Sequence, residues 1–163
     1  MNRSQSRKSE ADIELVTGLK RNPGSGCGKI FKGDNGDRNW HVEDKSTRQN
    51  RIVLKLHNFE KADYQSKITN KPYFAVSYTI GRCRFYHVPS WILDMVDNDV
   101  RKARTDRTVT NSKSMSFTTE DLAEMLTTRS LDIDWSGHMT SVITERDFID
   151  LKRALEGDSN DQN

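Results

Sequence analysis

Cysteine is scarce in this 163-residue chain. Cys27 and Cys83 are the only two, they lie far apart, and neither belongs to a Cys-x-x-Cys pair. That excludes a disulfide framework and a zinc site built on paired thiolates. Long apolar runs are absent too: none approaches the ~20 residues that a membrane-spanning helix needs, and no apolar signal region follows the start. A soluble protein of a reducing compartment is expected. Charge of one sign is missing as a bulk property, since the net charge is only +2, and this alone makes no case for a nucleic-acid partner. His57, His87 and His138 fall in no ligand pattern, so a histidine-based metal site is not expected.

Hydrophobic residues make up 33% of the chain and charged residues 31%, which suits one domain with a modest core. Residues 1–8 and 157–163 have almost nothing to bury and read as disordered tails. The basic side chains are unevenly spread: residues 45–61 and 101–113 each carry five against one acid. Such segregation is compatible with a basic binding face.

Residues 9–19 read as a helix with Leu15, Val16 and Leu19 on one face and Ser9 as cap. Pro23-Gly24-Ser25-Gly26 breaks it. A short strand at 29–31 and a turn at 33–37 lead to a strand at 40–45, on which Trp40 and Val42 alternate with His41, Glu43 and Lys45. A helix is expected over 58–68, with Asn58 as cap. Strands at 73–80 and 82–88 form a hairpin around Gly81, and a short helix follows Pro89. Residues 97–113 are a polar, basic connector. A capping box of Thr118 and Asp121 opens a helix to about 126, followed by strands at 131–135 and 140–143 and a helix over 145–155. The expected class is α/β with a mixed sheet flanked by helices: a core over 9–96 and a small α/β extension over 114–156 packed on it.

The chemistry concentrates in GDNGDRNWHVEDK, residues 33–45. Alternation puts Glu43 and Lys45 on one strand face, about 7 Å apart. Asp34 precedes Glu43 by nine residues, enough chain for a hairpin that returns it beside Glu43. Two carboxylates brought together repel, and a divalent cation relieves the repulsion. Mg²⁺ accepts one or two carboxylates with water and phosphate oxygen, and a metal so held polarises a phosphodiester and activates water. Lys45 then orients the water or stabilises charge on the phosphorane. Acid, acid and lysine together are the toolkit of metal-assisted phosphodiester hydrolysis. The competing explanation is a Glu–Lys pair on an edge strand, with Asp34 a turn residue. Asp37, in a second Gly-Asp pair, is the alternative to Asp34.

Gly33-Asp34, then Glu43-Asp44-Lys45-Ser46-Thr47, preceded by a helix and by Pro23-Gly24-Ser25-Gly26, resembles the PD-(D/E)xK nuclease superfamily. Within it, the closer likeness is to Holliday junction resolvase-like enzymes of archaea and phages, over roughly residues 9–96. The resemblance implies a restriction-endonuclease-like fold and a Mg²⁺-dependent endodeoxyribonuclease, with Mn²⁺ as a substitute, that resolves branched DNA. It carries the metal ligands to Asp34, Glu43 and the backbone carbonyl of Asp44, and the catalytic lysine to Lys45. A first-helix acid completes the site: Asp12, which has apolar residues at +3, +4 and +7, is preferred, and Glu10 is the alternative. Ser25, Lys29, Lys32, Arg48, Arg51 and Lys55 are the candidate DNA contacts. A homodimer is implied by analogy, and a cytoplasmic location, in the host cell if the chain is phage-encoded. A nicking, repair or restriction-type nuclease, or a DNA-binding module without cleavage, are the alternatives. Asp44 departs from the family pattern, because that position is usually apolar or small.

Overall fold

A computed structural model describes residues 3–22, 34–47, 51–80, 83–96, 104–108 and 113–157. The elements, in chain order, are α1 (Arg3–Thr17), β1 (Lys20–Arg21), β2 (Asn35–Gly36), β3 (Trp40–Thr47), β4 (Ile52–Lys55), α2 (Leu56–Ile68), β5 (Tyr73–Ile80), β6 (Cys83–Pro89), α3 (Ser90–Asp94), β7 (Arg104–Thr108), β8 (Ser114–Phe117), α4 (Thr119–Thr128), β9 (Ser130–Asp134), β10 (Met139–Thr144) and α5 (Glu145–Gly157). The protein is α/β.

One mixed eight-stranded sheet runs in the order β1-β2-β3-β5-β6-β10-β9-β7. β2 is antiparallel to β3, β3 is parallel to β5, and β5 and β6 form an antiparallel hairpin. β10 pairs with β6, so the C-terminal strands continue the same sheet. β4 and β8 make a separate two-stranded ribbon.

Strand alternation divides the interior into two layers. On one side Trp40 and Val42 of β3, Ala75 of β5 and Tyr86 of β6 meet Ile13 of α1, Ile92 of α3 and Phe148 of α5. Phe148 stacks on Tyr86 at 3.8 Å and meets Trp40 edge-on at 4.9 Å. On the other side Phe74, Val76 and Tyr78 of β5 pack under Ala62 of α2, Leu122 and Met125 of α4, and the β4–β8 ribbon.

Four expectations change. The first helix begins at Arg3, not Ser9, and buries Ser9, Glu10, Ile13 and Thr17, while Leu15 is 85% exposed. The buried stripe is mostly polar, so apolar spacing pointed to the wrong face. Asn35–Gly36 is a strand, where a turn was expected. α2 starts at Leu56 with Lys55 as its N-cap residue, which places Asn58 inside the first turn. Within the basic connector, Arg104–Thr108 is a strand parallel to β9. It is held by ion pairs: Arg104 reaches Asp132 at 3.2 Å, and Arg107 bonds Asp121 and Glu124. Those two arginines are therefore engaged by the protein's own acids. The capping box of Thr118 and Asp121 at the start of α4 is formed as expected. The predicted strand at 29–31 and the Gly81 turn lie outside the described residues.

Candidate functional site

The pairing of β2 with β3 sets the site. Asn35 is opposite Val42 and Gly36 opposite His41, so the next rung places Asp34 opposite Glu43. The Asp34 main chain continues the ladder, donating its N–H to the Val42 carbonyl at 3.0 Å. Its Oδ2 accepts the N–H of Asp44 at 2.8 Å, which fixes the carboxylate at the strand edge next to Glu43. The turn that makes this register possible is tied by Asp37, whose Oδ1 accepts the N–H groups of Asn39 and Trp40 at 2.8 Å each. Asp37 also pairs with Lys152 of α5 at 3.0 Å. It serves the turn and the opposite layer, so the carboxylate beside Glu43 is that of Asp34.

Glu43 is 5% exposed and faces α2. Its Oε2 accepts hydrogen bonds from Lys45 and from Lys61 of α2, each at 3.2 Å. The His41 ring lies 3.9 Å from its Oε1, with both ring nitrogens buried. Burial pushes the Glu43 carboxyl up, but Lys45 and Lys61 outweigh it and hold the pKa below the ordinary value. Burial and the charge of Glu43 raise the Asp34 carboxyl, against the Asp44 N–H and Lys45 that pull it down. Burial lowers the His41 pKa to about 4, so that ring is neutral at pH 7.

Asp44 points to the other face of β3. It is 7% exposed, its Oδ1 accepts the Ser77 hydroxyl at 2.6 Å, and its Oδ2 is buried without a partner. β3 lies between β2 and β5, so it is an interior strand. The expected role for Asp44 involves only its backbone carbonyl.

The first-helix acid is where the placement departs most from expectation. Asp12 is exposed, and Glu10 is the buried acid of α1. The carbonyl of Glu10 accepts the Asn35 side-chain N–H at 3.0 Å, which ties the helix to β2. α1 packs on the Trp40–Val42 face, across β3 from Glu43 and Lys45. Arg51 and Lys55 are exposed on or beside β4. Ser25, Lys29, Lys32 and Arg48 lie outside the described residues.

The described residues contain no group of three or more His, Cys, Asp and Glu side chains arranged to hold a metal ion. The donor set is instead a pair of carboxylates, Asp34 and Glu43. Mg²⁺ needs few protein ligands because it keeps several waters. Two ammonium groups now rest on Glu43, and an acid with a raised pKa sits next to it. Asp34, Glu43, Lys45 and Lys61 together are neutral, so a hydrated divalent cation would fit between the two carboxylates only where a lysine swings off Glu43. Lys61 is the residue that sequence reasoning missed, its only signal being a position one helix after β3 on the same side of the sheet. No protein-family model, curated protein or solved structure matches the chain.

Proposed function

We propose that the protein is a divalent-metal-dependent endodeoxyribonuclease with a restriction-endonuclease-like core, acting on branched DNA. The observation that carries this reading is the β2–β3 register, which sets Asp34 opposite Glu43 with Lys45 Nζ 3.2 Å from the Glu43 carboxylate. The order of α1, the β1–β2–β3 meander, α2 and a β5 parallel to β3 supports it.

In this proposal Asp34, Glu43 and the Asp44 carbonyl hold the metal. When bound, the cation polarises the scissile phosphate and lowers the pKa of a water. Lys45 donates hydrogen bonds where negative charge builds on the phosphate. Lys61 shares the neutralisation of Glu43, leaving Lys45 able to turn toward substrate. Cutting a four-way junction symmetrically takes two sites, hence a homodimer in this proposal. Cys83 is an unbridged, exposed thiol, which suits the cytoplasm. Among the described residues no helix is long and apolar enough to cross a membrane.

One observation favours a second reading: with both lysines on Glu43, the cluster also works as a neutral structural network in a DNA-binding module. A labelled four-way junction and its matched duplex, incubated with and without Mg²⁺, separate the two. Metal-dependent cutting of the junction is expected. Lys45→Ala lowers the cleavage rate at least about a hundredfold while the junction is still shifted in a gel. Binding without cutting under Mg²⁺ and Mn²⁺ leaves the binding module.

A further inference from the structure

Two ammonium groups converge on one carboxylate oxygen: Lys45 and Lys61 each lie 3.2 Å from Glu43 Oε2, with Asp34 in register across the β2–β3 pair. We infer that Lys45 is a lock on the cation site that a phosphate of the nucleic acid opens, so that divalent metal and DNA each bind more tightly in the presence of the other. The inference rests on the nuclease proposal and adds the regulation of its site.

Charge counting carries the first step. Glu43 is 5% exposed, so water screens little around it. A doubly charged cation brought to this carboxylate with both lysines in place meets two like charges on the oxygen it needs. One ammonium has to leave. Departure strips a lysine of its ion-pair partner, and the anionic oxygen of a phosphate supplies a new one.

Geometry singles out Lys45. It lies two positions from Glu43 on β3, and its charge opposes the effect of burial on Asp34 as well as on Glu43. It therefore bears on both carboxylates that a shared cation has to join. Lys61 comes instead from α2, and its charge bears on Glu43 and on the His41 ring, which lies by the other carboxylate oxygen. Lys61 is the positioning residue that stays on Glu43 when Lys45 leaves. β3 is an interior strand, so the motion is confined to the flexible Lys45 side chain, which is 36% exposed and has a path to solvent.

Once off Glu43, the Lys45 ammonium is available to a phosphate. Once held by a phosphate, it leaves the carboxylates to the cation. Linkage makes the effect reciprocal: DNA raises metal affinity by the same factor as metal raises DNA affinity.

Ca²⁺ titrations of the full-length chain by calorimetry, with and without a saturating four-way junction and with the junction-only titration subtracted, read this coupling as binding. The junction is expected to tighten Ca²⁺ binding about tenfold, and Ca²⁺ to tighten junction binding equally in fluorescence anisotropy. Lys45→Met keeps the apolar stem and removes the lock. Without DNA it should bind Ca²⁺ about tenfold more tightly than the wild type, and the junction should then add less. Lys61→Met leaves the lock in place and should gain less Ca²⁺ affinity than Lys45→Met. Equal Ca²⁺ affinity of the wild type with and without the junction overturns the inference, whether or not the variants fold. So does a folded Lys45→Met that binds Ca²⁺ alone no better than the wild type, or a larger gain in Lys61→Met. Coupled binding without Mg²⁺-dependent cutting of the junction removes the nuclease proposal and keeps the lock. Cutting with uncoupled binding removes the lock and keeps the nuclease.

Discussion

Asp44 shows how one residue divides its duties between backbone and side chain. Its N–H holds Asp34, its carbonyl is the proposed metal ligand, and its carboxylate is buried against Ser77 on the opposite face. A buried carboxylate with one orphaned oxygen is unfavourable. Asp44→Asn keeps an acceptor for Ser77 and removes the charge, so we expect stability to hold or rise by about 1 kcal/mol with cleavage retained. Asp44→Ala abandons the Ser77 hydroxyl and leaves a small void, at about 1–3 kcal/mol. Urea titration of the two variants checks the order. Asp34→Asn, by contrast, relieves the repulsion with Glu43 and leaves the fold intact, but should reduce metal-dependent cleavage at least about a hundredfold.

At the scale of elements, the short β2–β3 connection is the device that assembles the site. Gly36 is required there by close approach: an added Cβ would lie 2.6 Å from the Trp40 carbonyl oxygen and 2.5 Å from Lys71 Nζ. The lysine end can swing away, but the backbone oxygen cannot. Gly36→Ala should therefore push β2 off β3, lower stability by roughly 1–3 kcal/mol, and displace Asp34, two residues away. Loss of metal affinity larger than the loss of stability, read by calorimetry and thermal melting, is the expected signature. Normal metal binding in a folded variant would refute the register as the source of the site.

Much of this assembly was legible in the sequence. A spacing of nine positions from Asp34 to Glu43, with a Gly-Asp turn between, allows few hairpins, and alternation on β3 already paired Glu43 with Lys45. Other parts were illegible for physical reasons. The buried face of α1 is built on Ser9, Glu10, Ile13 and Thr17, so a rule that follows apolar spacing chose Leu15, Val16 and Asp12 instead. β7 has the sequence RTDRT, and its pairing rests on arginines meeting acids of β9 and α4, partners that no local pattern reveals. Asn58 reads as a cap, yet the extended backbone of Lys55 takes that place.

Across the whole molecule, acid sensitivity follows from histidines buried in neutral form. His87 is fully enclosed, close to the rings of Phe59 and Trp135, and its Nε2 is 2.7 Å from the Thr140 hydroxyl oxygen. Burial lowers its pKa from 6.5 to about 3. The unfolded chain takes up a proton near pH 6.5, whereas the folded chain does not until about pH 3. The contribution is thus complete above the higher value and drains away as pH falls between the two, at about 1.4 kcal/mol per pH unit. Denaturation midpoints measured from pH 7 to 4 should fall along that slope, and His87→Gln should flatten it.

The sheet order also has a consequence during synthesis. β10, residues Met139–Thr144, sits between β6 and β9, so an interior strand is made after both of its neighbours. Until it emerges from the ribosome, β6 presents an open rim of unpaired amides and carbonyls. A nascent chain interrupted before residue 139 is thereby exposed to strand capture by its neighbours, and the sheet stays open until residue 144 has been made.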